Sequence, residues 1–211
     1  MKLNSSSAIK IRTSRRQNGF TLVELLVVIT IIAVLAGAGF QAGMSAMQRA
    51  KKTTALATAT AIAAAVNNYY DTYGGLPTTQ TEDEPAVSTT DKASLDFLNI
   101  LLGYKETADP PMNTRGIKFL NVTDGKADKN GLMYQKGDMS VITGLYDPWG
   151  GPFFVMMDVD YNDELIVRTA AASTPVTLRG RKVAVWSNGA DCIDGGKGAK
   201  KGKIADDVKT W

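Results

Sequence analysis

The chain has 211 residues, a formal net charge of +3, one cysteine and no histidine. A single thiol cannot form an internal disulfide, and without histidine the chain lacks the usual general base and the commonest zinc ligand. Hydrolases with a histidine-containing triad or a cysteine–histidine nucleophile are therefore excluded.

Residues 1–19 hold five cations and no acid, so the chain starts with a basic leader. Of the 24 basic residues, 19 remain beyond the leader against 21 acidic residues, which gives residues 20–211 a net charge of −2. The positive-inside rule places such a leader in the cytoplasm and the rest of the chain across the membrane. No strongly basic nucleic-acid surface is evident, so nucleic acid is not an expected partner.

Residues 20–40 form an apolar run in which Glu24 is the only charge. A helix of that length is about 31 Å long, which is enough to cross a bilayer core. A carboxylate within lipid costs about 2–3 kcal/mol, and the run offers no cation to offset that cost. One interpretation is a plain signal-anchor helix that tolerates an acid near its end. The other is that cleavage after Gly19 exposes the amine of Phe20, which pairs with Glu24 of a neighbouring copy.

The helix is predicted to continue beyond the membrane, because residues 41–73 contain no proline and are rich in alanine. Its apolar positions are spaced 4-3-4-3-4, which makes one apolar face on a helix; they are Ala55, Ala59, Ile62, Val66, Tyr69 and Tyr73. We therefore predict one helix over residues 20–73, with 20–40 in lipid or in a filament core and 41–73 amphipathic. Gly74 and Gly75 should end it.

Residues 74–211 are predicted to form a globular head. Residues 78–91 are polar and acidic and indicate a mobile loop. Residues 93–103 have leucines at helical spacing, with Asp91 or Ser94 as the N-cap and Gly103 as the stop, and predict a short helix. Strands are predicted at 116–122, 153–158, 164–168 and 182–186. The fold class is therefore α+β, with one long helix on a small antiparallel sheet.

The segment Arg-Arg-Gln-Asn-Gly-Phe-Thr-Leu-Val-Glu, which starts at Arg15, resembles the prepilin processing site of type IV pilins and type II secretion pseudopilins. The resemblance implies that a membrane peptidase cuts between Gly19 and Phe20, removes residues 1–19 and methylates the new terminus. It also implies that Glu24, at the fifth mature position, is needed for assembly. A signal-peptidase site at residues 36–39 is the competing interpretation, but the apolar run is longer than that of a signal peptide.

Three further segments of the chain resemble the major pseudopilins of type II secretion systems. They are residues 70–79, residues 145–153 with Asp-Pro-Trp-Gly, and residues 186–211. Asp-Pro-Trp-Gly favours a tight turn. Trp149 in this turn either packs on the head or, if exposed, binds a partner, and packing is the more common role of a turn aromatic.

The resemblance at residues 186–211 implies a calcium site, whose ligands are the backbone carbonyl of Ser187 and the carboxylates of Asp191, Asp206 and Asp207. Calcium takes six to eight oxygens from carboxylates and backbone carbonyls. Lys197, Lys200, Lys201 and Lys203 lie where the family usually carries acids, and such cations oppose a divalent ion. The alternative is a solvated, calcium-free loop with lysine–aspartate pairs. A structural role also suits Cys192, which has no neighbouring cysteine to react with.

The leading hypothesis is a structural subunit, a major pseudopilin, and not an enzyme. The resemblance implies a homo-oligomeric helical filament and three partners: the prepilin peptidase, the minor pseudopilins and an inner-membrane assembly platform. It also implies a single-pass inner-membrane protein with a cytoplasmic leader and a periplasmic head.

The alternatives are a type IV pilin of a surface fibre, a minor pseudopilin at the tip, and a membrane-anchored enzyme. The single cysteine disfavours the pilin, which commonly has a C-terminal disulfide. No phosphate loop or nucleophile elbow supports the enzyme.

Overall fold

The computed structural model describes residues 19–83, 85–169, 174–191 and 207–211. The chain forms two compact units, Met1–Ser45 and Ala46–Trp211. Helix α1 (Leu22–Tyr73) is 52 residues long and contributes to both. The predicted long helix is thus confirmed, with its start two residues later than expected.

Within the first unit, the described apolar side chains of α1 are exposed. They include Leu22, Val23, Leu25, Leu26, Val27, Val28, Ile29, Ile31, Ile32, Val34 and Leu35. In the part of the chain that the structure describes, α1 is the one helix long and apolar enough to cross a membrane. An apolar surface of this extent needs a nonpolar environment, since soluble monomers rarely expose contiguous apolar patches larger than a few hundred Å².

Within the second unit, α1 buries the face that the spacing predicted. Ala55, Ala59, Ile62, Val66 and Tyr69 are all at most 2 % exposed. Helix α2 (Leu95–Leu102), preceded by a 3₁₀ turn at Lys92–Ser94, packs its apolar side into the same core. The predicted short helix is confirmed, but Ser94 makes no side-chain capping bond. Gly103 ends α2 with φ +70, and a Cβ there would lie 2.7 Å from the Gly116 carbonyl oxygen, which explains the glycine.

Eight strands complete the described part of the head: β1 (Val87–Ser88), β2 (Gly131–Gln135), β3 (Asp138–Tyr146), β4 (Phe153–Met157), β5 (Glu164–Val167), β6 (Val176–Arg179), β7 (Val183–Ser187) and β8 (Val208–Lys209). They form an antiparallel sheet in the order β1-β4-β7-β8 and two hairpins, β2-β3 and β5-β6. In the central pair, Phe153 lies opposite Ser187 and Met157 lies opposite Val183. The strands predicted near 153–158, 164–168 and 182–186 are therefore confirmed.

The strand predicted at residues 116–122 is wrong, since this segment is irregular. The backbone N–H groups of Phe119 and Leu120 both donate to the Leu101 carbonyl at the end of α2, and so they are not available to a strand partner. The side chain of Asn113 adds a second constraint, because its Oδ1 accepts from the Ile117 N–H. The hairpin β2-β3 and the short strand β1 were not predicted.

Alternation along β4 and β7 divides the core in two. Phe153, Val155 and Met157 face α1 and α2 together with Val183 and Val185. Met156, Ala184 and Trp186 face the other way, where they pack with Leu165 and Val167 of the β5-β6 hairpin. The sheet is therefore covered on both faces, and α1 lies on one of them.

Asp147 organises the Asp-Pro-Trp-Gly turn between β3 and β4. Its carboxylate is buried, and Oδ1 accepts from the backbone N–H groups of Trp149, Gly150 and Gly151 at 2.8–2.9 Å. Its Oδ2 accepts from the Ser187 hydroxyl at 2.6 Å. Trp149 is half-buried against the main core, and its Nε1 donates to Gln48 Oε1 of α1 at 3.0 Å. These contacts support the packing role of Trp149.

Replacing Asp147 should destabilise the head strongly. Asp147→Ala leaves three turn N–H groups and one buried hydroxyl without their acceptor, and we expect a loss of roughly 2–4 kcal/mol in the free energy of unfolding. Urea denaturation of the full chain in detergent, followed by tryptophan fluorescence, measures it. Asp138→Ala is the control and should cost much less, because Asp138 is exposed and, among the described residues, accepts only from the N–H and hydroxyl of Ser140. Equal losses would contradict the role given to Asp147.

The free energy of unfolding of the head should fall between pH 10 and pH 12 because the raised pKa of Tyr69 keeps this side chain neutral in the folded state. Burial, with the Glu106 charge and Tyr73 as lesser causes, raises the pKa of Tyr69 to about 12. The unfolded tyrosine ionises near pH 10 but the folded one does not, so this stabilisation is complete below pH 10. It falls by about 1.4 kcal/mol per pH unit up to pH 12. Thermal unfolding from pH 9 to 11 should therefore decline less steeply in Tyr69→Phe than in the unchanged protein. Tyr161→Phe, at an exposed tyrosine, should leave the slope unchanged.

Candidate functional site

The bond between Gly19 and Phe20 lies in irregular backbone immediately ahead of α1. Both residues are exposed, and Phe20 is 80 % exposed. A Cβ built on Gly19 would meet nothing within 4 Å. Among the described residues, therefore, none covers the predicted cleavage site, and an external peptidase can reach the bond.

Thr21 and Glu24 form a capping box at the start of α1. Glu24 Oε2 accepts from the Thr21 N–H at 2.8 Å and from the Thr21 hydroxyl at 2.7 Å. In return, Thr21 Oγ1 accepts from the Glu24 N–H at 3.2 Å. This reciprocal pattern satisfies free N–H groups at a helix start. Sequence analysis missed it, although Thr-Leu-Val-Glu is the Thr-x-x-Glu signature of such a box.

The capping box changes the account of Glu24. The apolar run offers this carboxylate no cation, but the structure gives Oε2 two neutral donors, the N–H and the hydroxyl of Thr21. Among the described residues, no donor contacts Oε1. Glu24 can therefore accept the Thr21 hydrogen bonds at Oε2 and, at the same time, a hydrogen bond at Oε1 from a donor on another molecule.

The proposed calcium ligands are only partly within the described residues. Ser187 is the last residue of β7, and its hydroxyl donates a hydrogen bond to the Asp147 carboxylate. Asp207 lies next to Val208, which pairs with Ser187, so the two predicted ligand segments are neighbours. The Asp207 carboxylate is 3.7 Å from Lys209 Nζ. Asp191 ends a 3₁₀ turn at Gly189–Asp191, and its side chain, Asp206 and Cys192 lie outside the described residues.

The structure brings together a second acidic group that sequence analysis missed. Carboxylate oxygens of Asp83, Asp158 and Asp160 lie within 4.8 Å of one another. Backbone N–H groups of Asn162 and Asp163 donate to Asp158, and the Val159 N–H donates to Asp83. Burial raises the pKa of Asp158, and the Asp83 charge adds to the rise. These carboxylates supply hard oxygen ligands of the kind that calcium binds. The sequence signal that could have identified the cluster is the Asp-x-Asp-x-Asn spacing of residues 158–162.

Neutralising Asp83 should stabilise the head at neutral pH in a chelator-containing buffer. Because the folded pKa of Asp158 is raised, its charge costs nothing below pH 3.8 and its cost grows as pH rises through the folded pKa. Asp83→Asn removes a like charge and keeps an oxygen for the Val159 N–H. We expect a gain on the order of 0.5 kcal/mol at pH 7 that vanishes near pH 3.5, measured by thermal unfolding. Glu82→Gln, one residue away and exposed, is the control and should change little.

Residues 14–40 match the family model of the prokaryotic N-terminal methylation motif. The match contains Gly19, Phe20 and Glu24 and includes the first part of α1, and the chain has the long helix and antiparallel sheets of an α+β fold consistent with the type IV pilin-like fold. No curated protein matches the chain, and no solved structure matches it.

The motif indicates a type IV pilin-like or pseudopilin-like precursor, a class whose members are structural subunits. It implies processing by a prepilin peptidase and assembly into a filament, and with the apolar helix it indicates membrane anchoring. Both branches of the class carry this motif.

Proposed function

We propose that this chain is the major pseudopilin of a type II secretion system, which polymerises through α1 into a periplasmic filament that drives protein export. The observation that carries the proposal is the open Gly19–Phe20 bond directly before a capped helix with exposed apolar side chains. Support for the pseudopilin branch comes from the Asp-Pro-Trp-Gly turn, whose Asp147 accepts a hydrogen bond from Ser187 in another segment that resembles major pseudopilins, residues 186–211.

Processing and assembly follow from the chemistry of the terminus. Cleavage converts the Phe20 amide nitrogen into an amine that is protonated at neutral pH. In a filament, the amine of one copy would donate to Glu24 Oε1 of its neighbour while Thr21 holds Oε2. A charge-assisted hydrogen bond of this kind in a low-dielectric core offsets the cost of the buried carboxylate. The apolar side chains of residues 22–35 then pack on other copies in place of lipid.

The proposed partners are the prepilin peptidase, the minor pseudopilins and the inner-membrane assembly platform. In this proposal the leader is cytoplasmic and the head periplasmic, and the processed subunit leaves the inner membrane for the filament. Deleting the gene tests the branch. Loss of exoprotein secretion supports the pseudopilin, whereas normal secretion with loss of a long surface fibre would favour the type IV pilin.

The charge of Glu24 should be needed for assembly but not for processing. Mass spectrometry of the protein from cells should find N-methylated Phe20 as the first residue, both in the unchanged protein and in Glu24→Gln. Glu24→Gln keeps an acceptor for Thr21 but loses the ionic partner of the amine, and we expect filament yield to fall by tenfold or more. Asp138→Asn, a charge change on the exposed surface of the head, is the matched control. Filaments at the normal rate in Glu24→Gln would refute the assembly mechanism.

The proposal includes a calcium ion held by oxygens of Ser187, Asp191, Asp206 and Asp207, where it would join the C-terminal segment to the end of β7. It is supported by the adjacency of Ser187 and Asp207 across β7 and β8 and by their hard oxygen donors.

Calcium should raise the thermal stability of the unchanged protein, by about 2.7 kcal/mol at a hundredfold excess over its dissociation constant. Asp206→Asn should abolish the gain, because it removes a proposed ligand. Asp160→Asn, in the other acidic group, is the matched control and should keep the gain. A loss with Asp160→Asn and not with Asp206→Asn would contradict the C-terminal site.

A further inference from the structure

One end of the head carries cations that form no ion pair with the described residues. Arg49 and Lys51 lie on α1 within the second unit, and no acid occurs from residue 25 to residue 70. Lys129 reaches the same end, because its Cγ and Cε lie 3.5 Å from the position that a Cβ on Gly150 would occupy. That turn is hydrogen-bonded to α1 next to Arg49. We name Arg49, Lys51 and Lys129 the basic end.

The other end of the head carries a cluster of carboxylates. Oxygens of Asp83, Asp158 and Asp160 lie within 4.8 Å of one another, and we name these three residues the acidic end. The next residue, Tyr161, has its hydroxyl 4.0 Å from the position that a Cβ on Gly75 would occupy, two residues beyond the end of α1. The cluster is therefore fixed near the C-terminus of the helix.

Each end keeps an excess of its own charge. A groove of 480 Å³ beside the acidic end is lined by Glu82, Asp83, Asp160, Glu164, which pairs with Arg179, and one further cation, Arg168. Burial raises the pKa of Asp158 and the Asp83 charge adds to the rise, so the carboxylates of the cluster repel one another. Near Lys129, Asp128 is the one acid between residues 125 and 137. Acids therefore outnumber cations at one end, and cations outnumber acids at the other.

The length of the helix keeps the two ends of one head apart. Gln48 and Tyr73 are 25 residues from each other on α1, which is roughly 37 Å along the axis. The opposite charges can therefore meet only between two heads. Contacts between like ends are opposed by repulsion. A contact between unlike surfaces of two copies is heterologous, and it repeats along a filament when the rotation does not close a ring.

We infer that the basic end of one head binds the acidic end of a second copy of this chain. The inference rests on the filament assembly in the proposed function and adds a contact between heads to the packing of α1. Charge complementarity identifies the occupant, since Arg49 and Lys129 are exposed donors and Asp160 is an exposed carboxylate. Charge-assisted hydrogen bonds between such groups are stronger than neutral ones. Each head in a row then uses both of its ends.

The first test is cross-linking within filaments of the full chain. Cys192→Ser removes the native thiol, and Arg49→Cys and Asp160→Cys are introduced together. A short bismaleimide applied to the filaments should give a ladder of dimers, trimers and larger products, because each copy reacts with two neighbours through two different cysteines. Lys105→Cys in place of Arg49→Cys is the matched control, since Lys105 is an exposed cation outside both ends, and it should give no ladder.

The second test exchanges the charges. Arg49→Glu should lower filament yield by tenfold or more, because an acid then meets acids. Asp160→Arg should lower it in the same way, and the two changes together should restore it because the complementary pair is re-formed in reverse. Lys105→Glu, the same charge change at an exposed site outside both ends, should leave the yield unchanged.

Filaments without the ladder overturn the inference and leave the proposed function intact. A ladder with the Lys105→Cys control overturns it too, and so does a normal yield in Arg49→Glu. Failure of the double exchange to restore assembly, with heads that circular dichroism shows to be folded, has the same meaning. The cross-link decides the matter even if the charge variants do not fold. Absence of filaments in the unchanged protein would instead overturn the proposed function.

Discussion

The buried face of α1 at Ala55, Ala59, Ile62, Val66 and Tyr69 is the surface on which the head is built. Ala55, Ala59, Ile62 and Val66 belong to the same buried core as the apolar side chains of α2 and the inner side chains of β4 and β7. Tyr69 closes the far end by donating its hydroxyl to the Met112 carbonyl. This face therefore belongs to one continuous apolar core with α2 and the inner side of β4 and β7.

The same helix carries two kinds of surface in succession. In the second unit its apolar residues follow a 3.6-residue period and one face is buried, as expected for a helix on a soluble head. In the first unit the apolar residues surround the helix and are exposed. A helix that is apolar all round requires lipid or other helices, so the change in pattern marks the change in environment. Arg49, Lys51 and Lys52 fall just after it.

Much of the fold could be predicted because its signals were local. The helix was predicted from an apolar run and an alanine-rich periodic segment without proline, and the strands at 153–158 and 182–186 from short apolar runs between turn residues.

The error at 116–122 had a nonlocal cause, since the Leu101 carbonyl accepts from two N–H groups that a strand would have used. The hydrogen bond between Ser187 and Asp147 was equally impossible to predict, because it joins residues forty positions apart. The capping box was local and could have been found from Thr21 and Glu24 alone. The cluster of Asp83 with Asp158 and Asp160 needed the fold to bring distant segments together.

The capping box also fixes where helical backbone is permitted to begin. A peptidase must draw its substrate into an extended conformation, which a hydrogen-bonded helical turn would resist. With Thr21 as the cap, the first turn starts at Leu22, and the Gly19–Phe20 bond is left outside the ladder of intrahelical bonds. The side chain proposed to join subunits after cleavage therefore already acts in the precursor, where it keeps the scissile peptide unwound.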